Sequence, residues 1–341
     1  MPALRPIRSV FPPAACLLLV AASLSASSGF SVPPTAAEIP ALGEPLRYNP
    51  PRGDDDGLPP SFGPYRETGS PVAGQEPETA KAELPVAGLP DQVLAFYGKP
   101  GAPTMGILGE YPKDKLATLL DGYARLYDAA NGERGVVPAF YIIFGTCWPE
   151  GEIGYTKASV IEEYISFAAE RGWLVFLDHQ IGRYTVDQAV ETLLPWLRFP
   201  NVHLALDPEW RTLKPMKEIG SITGDEFNRA QARIDDYLRL NGLPGPRMLV
   251  VHQFKPRMIL ARETVRSDYP RVVPVHTADG FGAPALKRQA YRYNAEATNM
   301  PVKGFKLFFE SKVPGAGWDS PLMRPEDVMT LDPVPVVVMY Q

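Results

Sequence analysis

Eight short apolar runs divide the chain from residue 93 onward, and they constrain its fold more than any other feature. Each run has four to six residues and is rich in Val, Ile, Leu, Phe or Tyr. Continuous apolar runs of this length are typical of strands that are buried on both faces. The predicted strands are Val93–Tyr97, Ala139–Phe144, Trp173–Leu177, Val202–Leu206, Met248–Val251, Val272–Val275, Gly304–Phe309 and Val336–Tyr340.

Helical patterns lie between these runs. Ser159, Thr185 and Thr223 are each followed three residues later by Glu or Gln, which is the sequence signature of a capping box at a helix start. Apolar residues recur at helical spacing in the longest connections. The predicted helices are Lys113–Ala130, Ser159–Gly172, Thr185–Trp196, Thr223–Gly242, Arg257–Ser267 and Pro284–Ala295, with one further turn at Pro325–Met329.

The alternation of strands and helices predicts parallel strands joined by right-handed crossovers. Eight strands favour a closed (β/α)8 TIM barrel over an open doubly wound sheet, and no Gly-x-Gly-x-x-Gly follows the first strand. The sequence stops at Gln341, so the eighth helix is missing from this α/β fold. We expect the N-terminal flank to cover the face that this helix would occupy.

The first 90 residues differ in composition from the rest of the chain. Residues 1–29 combine Arg5 and Arg8, a short apolar run and small residues, which is the pattern of a secretory signal peptide. Residues 30–87 are rich in Pro, Gly and acidic residues, and 17 of the 38 prolines lie before residue 91. Such a segment buries too little apolar surface to offset its ordering entropy, so we predict a disordered linker before a barrel domain at 88–341.

The net charge limits which molecules this protein can bind, and the cysteine content limits how its fold can be held together. The formal net charge of −5 and the absence of a basic patch make nucleic acid an unsuitable partner. Without the signal peptide the only cysteine is Cys147, so the domain must be held together by core packing and not by disulfides. We therefore expect a secreted or cell-envelope protein with no transmembrane domain in its mature chain.

The fourth apolar run ends in two carboxylates, in the order Asp207-Pro208-Glu209. Residues i and i+2 of a strand point to the same side, so these side chains are expected to face one way together. Pro208 cannot donate to a ladder and therefore ends the regular strand. An acidic pair at the carboxyl end of a barrel strand lies where the chemistry of barrel enzymes takes place.

Polar and aromatic residues also follow the other strands. Because the carboxyl ends of all barrel strands meet at one mouth, we expect them to gather there. His203 lies instead at the start of its strand, so we interpret it as structural. The predicted substrate-contacting residues are Tyr97, Trp148, Asp178, His179, Trp210, His252, Gln253, His276, Asp279 and Tyr340.

Asp207-Pro208-Glu209 resembles the Asp-x-Glu that ends strand four in chitinase-like and lysozyme-like barrels, a group of TIM-barrel glycoside hydrolases. Glu310, at the end of strand seven, is similar in position to a second catalytic glutamate of many TIM-barrel glycosidases. The resemblance implies that Glu209 is the proton donor, that Asp207 tunes it, and that Glu310 is its partner. It also implies a glycan substrate, with Tyr97, Trp148, Trp210 and Trp318 stacking on sugar rings, and no cofactor.

Two alternatives remain open at this point. The side chains of Asp178, His179, Asp207, His252, His276 and Glu310 are suitable metal ligands, which would fit a metal-dependent TIM-barrel hydrolase or isomerase similar to xylose isomerases. The second alternative is a non-catalytic barrel that binds glycan through the same aromatic residues. No nucleophile elbow of the form Gly-x-Ser-x-Gly is present in the sequence, which argues against a serine hydrolase.

Overall fold

A computed structural model describes residues 91–311 and 313–341. The predicted signal peptide at 1–29, the linker at 30–87 and the first residues of the barrel domain lie outside the described residues. In the part of the chain that is described, no helix is both long and apolar enough to cross a membrane.

Eight parallel strands close into a barrel, which confirms the predicted fold class. Strand pairing runs in chain order from the first strand to the eighth, and the eighth pairs with the first through Val93–Val337 and the residues that follow. The barrel strands are β1 (Gln92–Gly98), β2 (Val136–Cys147), β3 (Leu174–His179), β4 (Val202–Leu206), β5 (Arg247–Gln253), β6 (Val272–Ala278), β7 (Val302–Leu307) and β8 (Val337–Tyr340).

Helices and short turns connect the strands on the outside of the barrel. The α-helices are α1 (Ile107–Glu110), α2 (Lys113–Ala130), α3 (Ala158–Ala169), α4 (Val186–Leu193), α5 (Gly224–Leu240), α6 (Pro284–Ala295) and α7 (Pro325–Val328). Short strands Ile153–Tyr155, Ile222–Thr223 and Ile259–Leu260 lie in the connections, as do 3-10 turns at Leu194–Arg198, Pro208–Trp210, Pro256–Met258 and Arg262–Thr264.

Two of the three predicted capping boxes are confirmed, at Thr185 and Thr223. Each Thr hydroxyl accepts from the backbone N–H three residues on, and the Gln or Glu side chain at that position accepts from the backbone N–H of the Thr. The capping box at Ser159 is wrong. The helix there begins at Ala158 after Lys157, and no side chain caps it. The Thr156 hydroxyl donates to the carbonyl of Ile143 at 2.8 Å, so the chain is tied to β2 up to the residue before Lys157.

The predicted helix at Arg257–Ser267 is also wrong. This segment forms the short strand Ile259–Leu260 between two 3-10 turns, and Ala261 takes a left-handed conformation with φ 49° that interrupts helical geometry. Side-chain amides supply its backbone partners: Asn299 donates to the carbonyls of Arg262 and Val265 at 3.0 and 2.8 Å. These partners lie far away in the sequence, so local periodicity does not reveal them.

Helix α2 packs over the outer face of β8. The Tyr123 ring contacts the Tyr340 ring edge-on with centroids 5.0 Å apart, and the Tyr127 hydroxyl lies 2.9 Å from the Tyr340 hydroxyl. Tyr127 and Tyr340 are both buried. Within the described residues, aromatic side chains of α2 therefore protect the outer face of β8; the predicted role of the N-terminal flank falls on residues that are not described.

The barrel interior is filled by side chains that alternate along the strands. Small residues such as Ala95, Ala139 and Ala205 pack with large ones such as Phe176 and Met248, and all of them are buried. At the amino end of β4, His203 stacks on Phe176 with ring centroids 5.2 Å apart, and its Nδ1 accepts from the Met248 N–H at 2.9 Å. Burial lowers the pKa of His203 to about 3, so this histidine is a neutral packing element, as its position predicts.

Candidate active site at the carboxyl end of the barrel

Strand alternation decides which side chains enter the barrel mouth. Tyr97, Asp178, Asp207 and His252 continue the inward-facing rows of their strands. Their neighbours one position along the strand face outward, towards the helices. The structure therefore brings together only some of the residues that follow the strands in sequence.

A network of hydrogen bonds, ring contacts and one histidine–carboxylate contact joins side chains from β1, β2, β3 and β5 and Asp279, which follows β6. The Tyr97 hydroxyl donates to Asp178 Oδ2 at 2.8 Å, and the Tyr141 hydroxyl lies 2.8 Å from His252 Nε2. On the other ring nitrogen, His252 Nδ1 lies 3.0 Å from Asp279 Oδ2. These side chains are at most 6% exposed, so each of them depends on its neighbours for polar partners.

Lys306 completes this network from β7. Its Nζ lies 3.4 Å from Asp279 Oδ2 and 3.8 Å from the centroid of the Tyr97 ring. A buried ammonium needs a counter-charge, and here it has both a carboxylate and an aromatic face. Asp279 thus lies between two cationic side chains, Lys306 and His252.

The two carboxylates after β4 are held by a single 3-10 turn at Pro208–Trp210. The Glu209 N–H donates to Asp207 Oδ1 at 3.3 Å, and the Glu209 carbonyl accepts from Gly220. Pro208 occupies the first position of the turn, where a missing N–H costs nothing. This arrangement buries Asp207, whereas Glu209 keeps a partly exposed side chain that lines the cavity.

Burial raises the pKa values of three carboxyl groups at the mouth, those of Glu209, Asp207 and Asp178. Desolvation raises the pKa of Glu209 well above its ordinary range, and the charges of Asp207 and Asp279 raise it further. Desolvation also raises the pKa of Asp207 to about 7, although the nearby His252 acts in the opposite direction. The pKa of Asp178 is raised by burial as well, and its Oδ1 has no hydrogen-bond partner among the described residues.

Asp279 and His252 titrate in the opposite sense. Burial acts to raise the pKa of Asp279, but Lys306 and His252 outweigh it and hold the pKa below the ordinary value. Burial acts to lower the pKa of His252, but the contact with Asp279 and the other carboxylates raises it. Glu209 therefore favours its protonated form more than an ordinary glutamate does, whereas Asp279 favours its ionised form.

A cavity of about 270 Å³ opens directly above the network. Asp207, Glu209, Asp279 and Lys306 line its floor. Its walls carry apolar and aromatic side chains that could contact the faces of sugar rings. These side chains are Met105, Trp210, Met216, Phe254, Phe281 and Phe308.

Several predicted site residues lie elsewhere. Glu310 is exposed and is not among the residues that line the cavity; β7 contributes Lys306 and Phe308 there instead. Trp148 lies in the turn between β2 and the short strand Ile153–Tyr155, and its Nε1 is packed against Gly154. Trp318 is 38% exposed and does not line the cavity either.

Four other predicted residues lie between the barrel and its helices. His179 accepts the Ile181 N–H on Nδ1 at 2.8 Å, and burial lowers its pKa to about 3. His276 contacts Gln253, with Nε2 and Oε1 2.7 Å apart, and Tyr340 contacts Tyr127. All four residues, His179, Gln253, His276 and Tyr340, lie away from the mouth because their strand positions face outward.

Sequence reasoning missed Lys306 and Tyr141, which complete the network. Both lie inside runs that were interpreted only as apolar strands. A lysine within the buried run Gly304–Phe309 is itself a signal, because an isolated ammonium is too costly to bury without a partner. In the described residues, no three His, Cys, Asp or Glu side chains are arranged as a metal site.

No protein-family model matches this chain, and no curated protein matches it. Solved structures with a similar fold include an enzyme of group GH138 that targets pectin rhamnogalacturonan II. Its identity to this chain is 12% and the TM-score is 0.38, and the match covers 73% of this chain and 34% of that chain. This chain thus spans about a third of that enzyme. A chitinase from Ipomoea carnea matches at 12% identity and TM-score 0.44, covering 73% of this chain and 94% of that chain. A Group IV chitinase from Ostrinia furnacalis matches at 12% identity and TM-score 0.40, covering 64% and 67%. Such low values transfer no activity.

Proposed function

We propose that this barrel hydrolyses a glycosidic bond, with Glu209 as the general acid. The observation that carries the proposal is the position of Glu209, a carboxyl group that lines the cavity and whose pKa is raised by burial and by its acidic neighbours. A carboxylic acid that keeps its proton near neutral pH can donate it to the leaving oxygen of a glycoside.

In this proposal Asp279 supplies the second carboxylate. Cleavage leaves positive charge on the sugar ring, and an ionised carboxylate at the cavity floor stabilises that charge. Lys306 and His252 keep Asp279 ionised. After Glu209 has given its proton to the leaving group, it is an anion and can take a proton from the attacking water, which restores the starting state.

Asp207 has a supporting role in the same step. Its Oδ1 accepts the Glu209 N–H, which fixes the turn that presents the acid. The pKa of Asp207 is about 7, so its charge changes within the range in which the enzyme would work. We therefore expect Asp207 to set the pH dependence of Glu209.

The expected partner is a glycan, and the expected location is outside the cell or at the cell envelope. The location rests on the signal-like sequence at 1–29 and on the Pro-rich segment that follows it. The proposal requires no cofactor. The alternative of a non-catalytic glycan-binding barrel rests on the aromatic walls of the cavity, which suit binding as well as catalysis.

Incubation with a panel of glycans, followed by detection of new reducing ends, tests the proposal. The panel includes chitin oligosaccharides, peptidoglycan fragments, β-glucans and pectic oligosaccharides. Glu209→Gln should lower the catalytic rate about 10²–10⁴-fold, which is the usual scale of general acid catalysis. Glu310→Gln is the matched control and should retain the activity, because Glu310 is exposed and does not line the cavity.

The outcomes separate the alternatives. If both variants are as active as the wild type, Glu209 is not the acid. A loss of activity in Glu310→Gln would favour the carboxylate pair that the family resemblance implies. Binding of a glycan without hydrolysis of any panel member would favour the binding-module alternative.

A further inference from the structure

Three cationic side chains on the cavity wall form no ion pair with the residues that the structure describes. Lys217, Lys255 and Arg257 line the cavity, and no carboxylate of the described residues lies within ion-pair distance of them. Two of the four acidic residues that line the cavity are already in ion pairs. Glu218 pairs with Lys214 at 3.0 Å, and Asp279 pairs with Lys306. Once these two pairs are set aside, the lining retains three cations, Lys217, Lys255 and Arg257, against two carboxyl groups, Asp207 and Glu209. Lys255 is near enough to Glu209 to act on its pKa, which it lowers.

The segment that carries Lys255 and Arg257 is held by a buried side chain. Gln253 Nε2 donates to the carbonyls of Lys255 and Pro256, both at 3.2 Å. Gln253 is fully buried, and its own carbonyl accepts from Asn294 at 3.2 Å. These hydrogen bonds fix the 3-10 turn Pro256–Met258, so Lys255 and Arg257 lie on a loop with a defined conformation.

The direction of each hydrogen bond in this anchor is fixed by chemistry. Because Gln253 Nε2 faces two carbonyl oxygens, its Oε1 must face His276 Nε2, which lies 2.7 Å away and therefore donates. His276 Nδ1 is then an acceptor, and Lys303 Nζ lies 3.5 Å from it. Burial and Lys303 keep the pKa of His276 well below its ordinary value, consistent with this neutral ring.

We infer that the cavity selects an anionic glycan, and that Lys255, Arg257 and Lys217 bind its carboxylate groups. Arg257 offers the planar fork that matches a carboxylate, and the two lysines offer point charges. Gln253 and His276 are positioning residues for this subsite, because they hold its loop from outside the barrel. The inference rests on the proposed function, since it names the substrate class for the same cavity.

The floor of the cavity is compatible with an anionic substrate. Burial raises the pKa of Glu209 and so favours its neutral form, and Asp279 lies beside the cations Lys306 and His252. The negative charge that a substrate carboxylate meets there is thus smaller than the number of acidic residues suggests. A carboxylate at the rim lies on the cationic side, and the glycosidic oxygen can approach Glu209.

Binding to matched ligand pairs tests the inference. Oligosaccharides of galacturonate, glucuronate and mannuronate are compared with their methyl esters, which lack the negative charge at C6 and carry one added methyl group. Affinities are measured by calorimetry on the wild type and on Glu209→Gln, in which the ligand is not consumed. At least one acid should bind about tenfold more tightly than its ester, and the preference should shrink as salt rises from about 50 to about 500 mM.

Charge removal at the rim should reduce this preference. Lys255→Gln and Arg257→Gln should each lower the acid-to-ester affinity ratio about threefold to fivefold, the range for a partly exposed ion pair. Lys115→Gln removes the same charge from the exposed surface of α2 and should leave the ratio unchanged. If no acid binds more tightly than its ester, or if Lys115→Gln lowers the ratio as much as Lys255→Gln does, the inference is refuted.

Gln253→Met tests the positioning role, because it keeps the side-chain volume and removes the two donors. We expect the acid-to-ester ratio to fall while the affinity for the ester persists. Loss of both affinities would indicate a purely structural role. Binding does not depend on turnover, so an acid preference without hydrolysis would refute the proposed function alone, and hydrolysis of neutral glycans only would refute this inference alone.

Discussion

Replacing Asp207 with Asn is expected to stabilise the protein above neutral pH and to leave its stability at pH 4 nearly unchanged. Burial raises the pKa of Asp207 from 3.8 to about 7 in the folded state. A folded-state pKa above the unfolded value means that this group favours folding when it is protonated. Its contribution is complete below pH 4 and is lost as the pH rises through about 7.

The magnitude follows from the size of the pKa shift. A shift of about three units, at 1.36 kcal/mol per unit, corresponds to on the order of 4 kcal/mol at pH 8. Asn carries no charge at any pH and keeps the oxygen that accepts the Glu209 N–H. The gain has an upper bound of about 4 kcal/mol, because Asp207 also stabilises the charged form of His252.

Urea denaturation of both proteins at pH 4.5, 6, 7 and 8, with linear extrapolation to zero denaturant, measures the effect. Asp121→Asn, on the exposed surface of α2, is the matched control and should follow the wild type at every pH. A difference between Asp207→Asn and the wild type that does not change with pH would refute the reasoning. So would a variant that is less stable than the wild type at pH 8.

Three further perturbations test the network and the scaffold. Tyr97→Phe removes the donor to Asp178, so the pKa of Asp178 should rise further, and NMR titration of its carboxyl group should detect this; an unchanged titration would contradict the 2.8 Å contact. Thr223→Ala removes a capping box and should lower the free energy of unfolding by about 1 kcal/mol in urea denaturation. An unchanged free energy of unfolding would mean that the cap is not formed. Lys287→Met leaves the buried carboxylate of Asp319 without the cation that lies 3.3 Å away, and should lower the free energy of unfolding by about 3–5 kcal/mol; a neutral effect would mean that Asp319 is protonated.

Much of the site was predictable only as a set of candidates. Asp207 and Glu209 were expected on one side of their strand, and both line the cavity. His179 and His276 followed strands just as His252 did, yet they face the helices. Whether such a residue faces the barrel interior or the helices depends on its odd or even position along the strand. This position predicts the direction of a side chain only when one inward-facing residue of the same strand is known. Glu310 lies three residues beyond the end of β7, which is too far for the strand to direct it into the mouth.

The charge states at the mouth belong to the tertiary structure. The pKa values of Glu209 and Asp279 shift in opposite directions, although both residues are carboxylic acids at the same rim. Lys306 and His252, on two other strands, make the difference. Nothing in the local sequence of Asp279 indicates that two cations will surround it.

The sequence alone determined the eight strands and most of the helices in their order, because strand and helix periodicity and capping are properties of neighbouring residues. It therefore predicted the eight strands, the helices Lys113–Ala130 and Pro284–Ala295, and the caps at Thr185 and Thr223. Only the tertiary structure decided which side chains share the barrel mouth, which connections fold around distant amides, and which carboxyl groups keep a proton. Those outcomes depend on burial and on charges contributed by residues from several strands, and closure of the barrel is what brings these residues together.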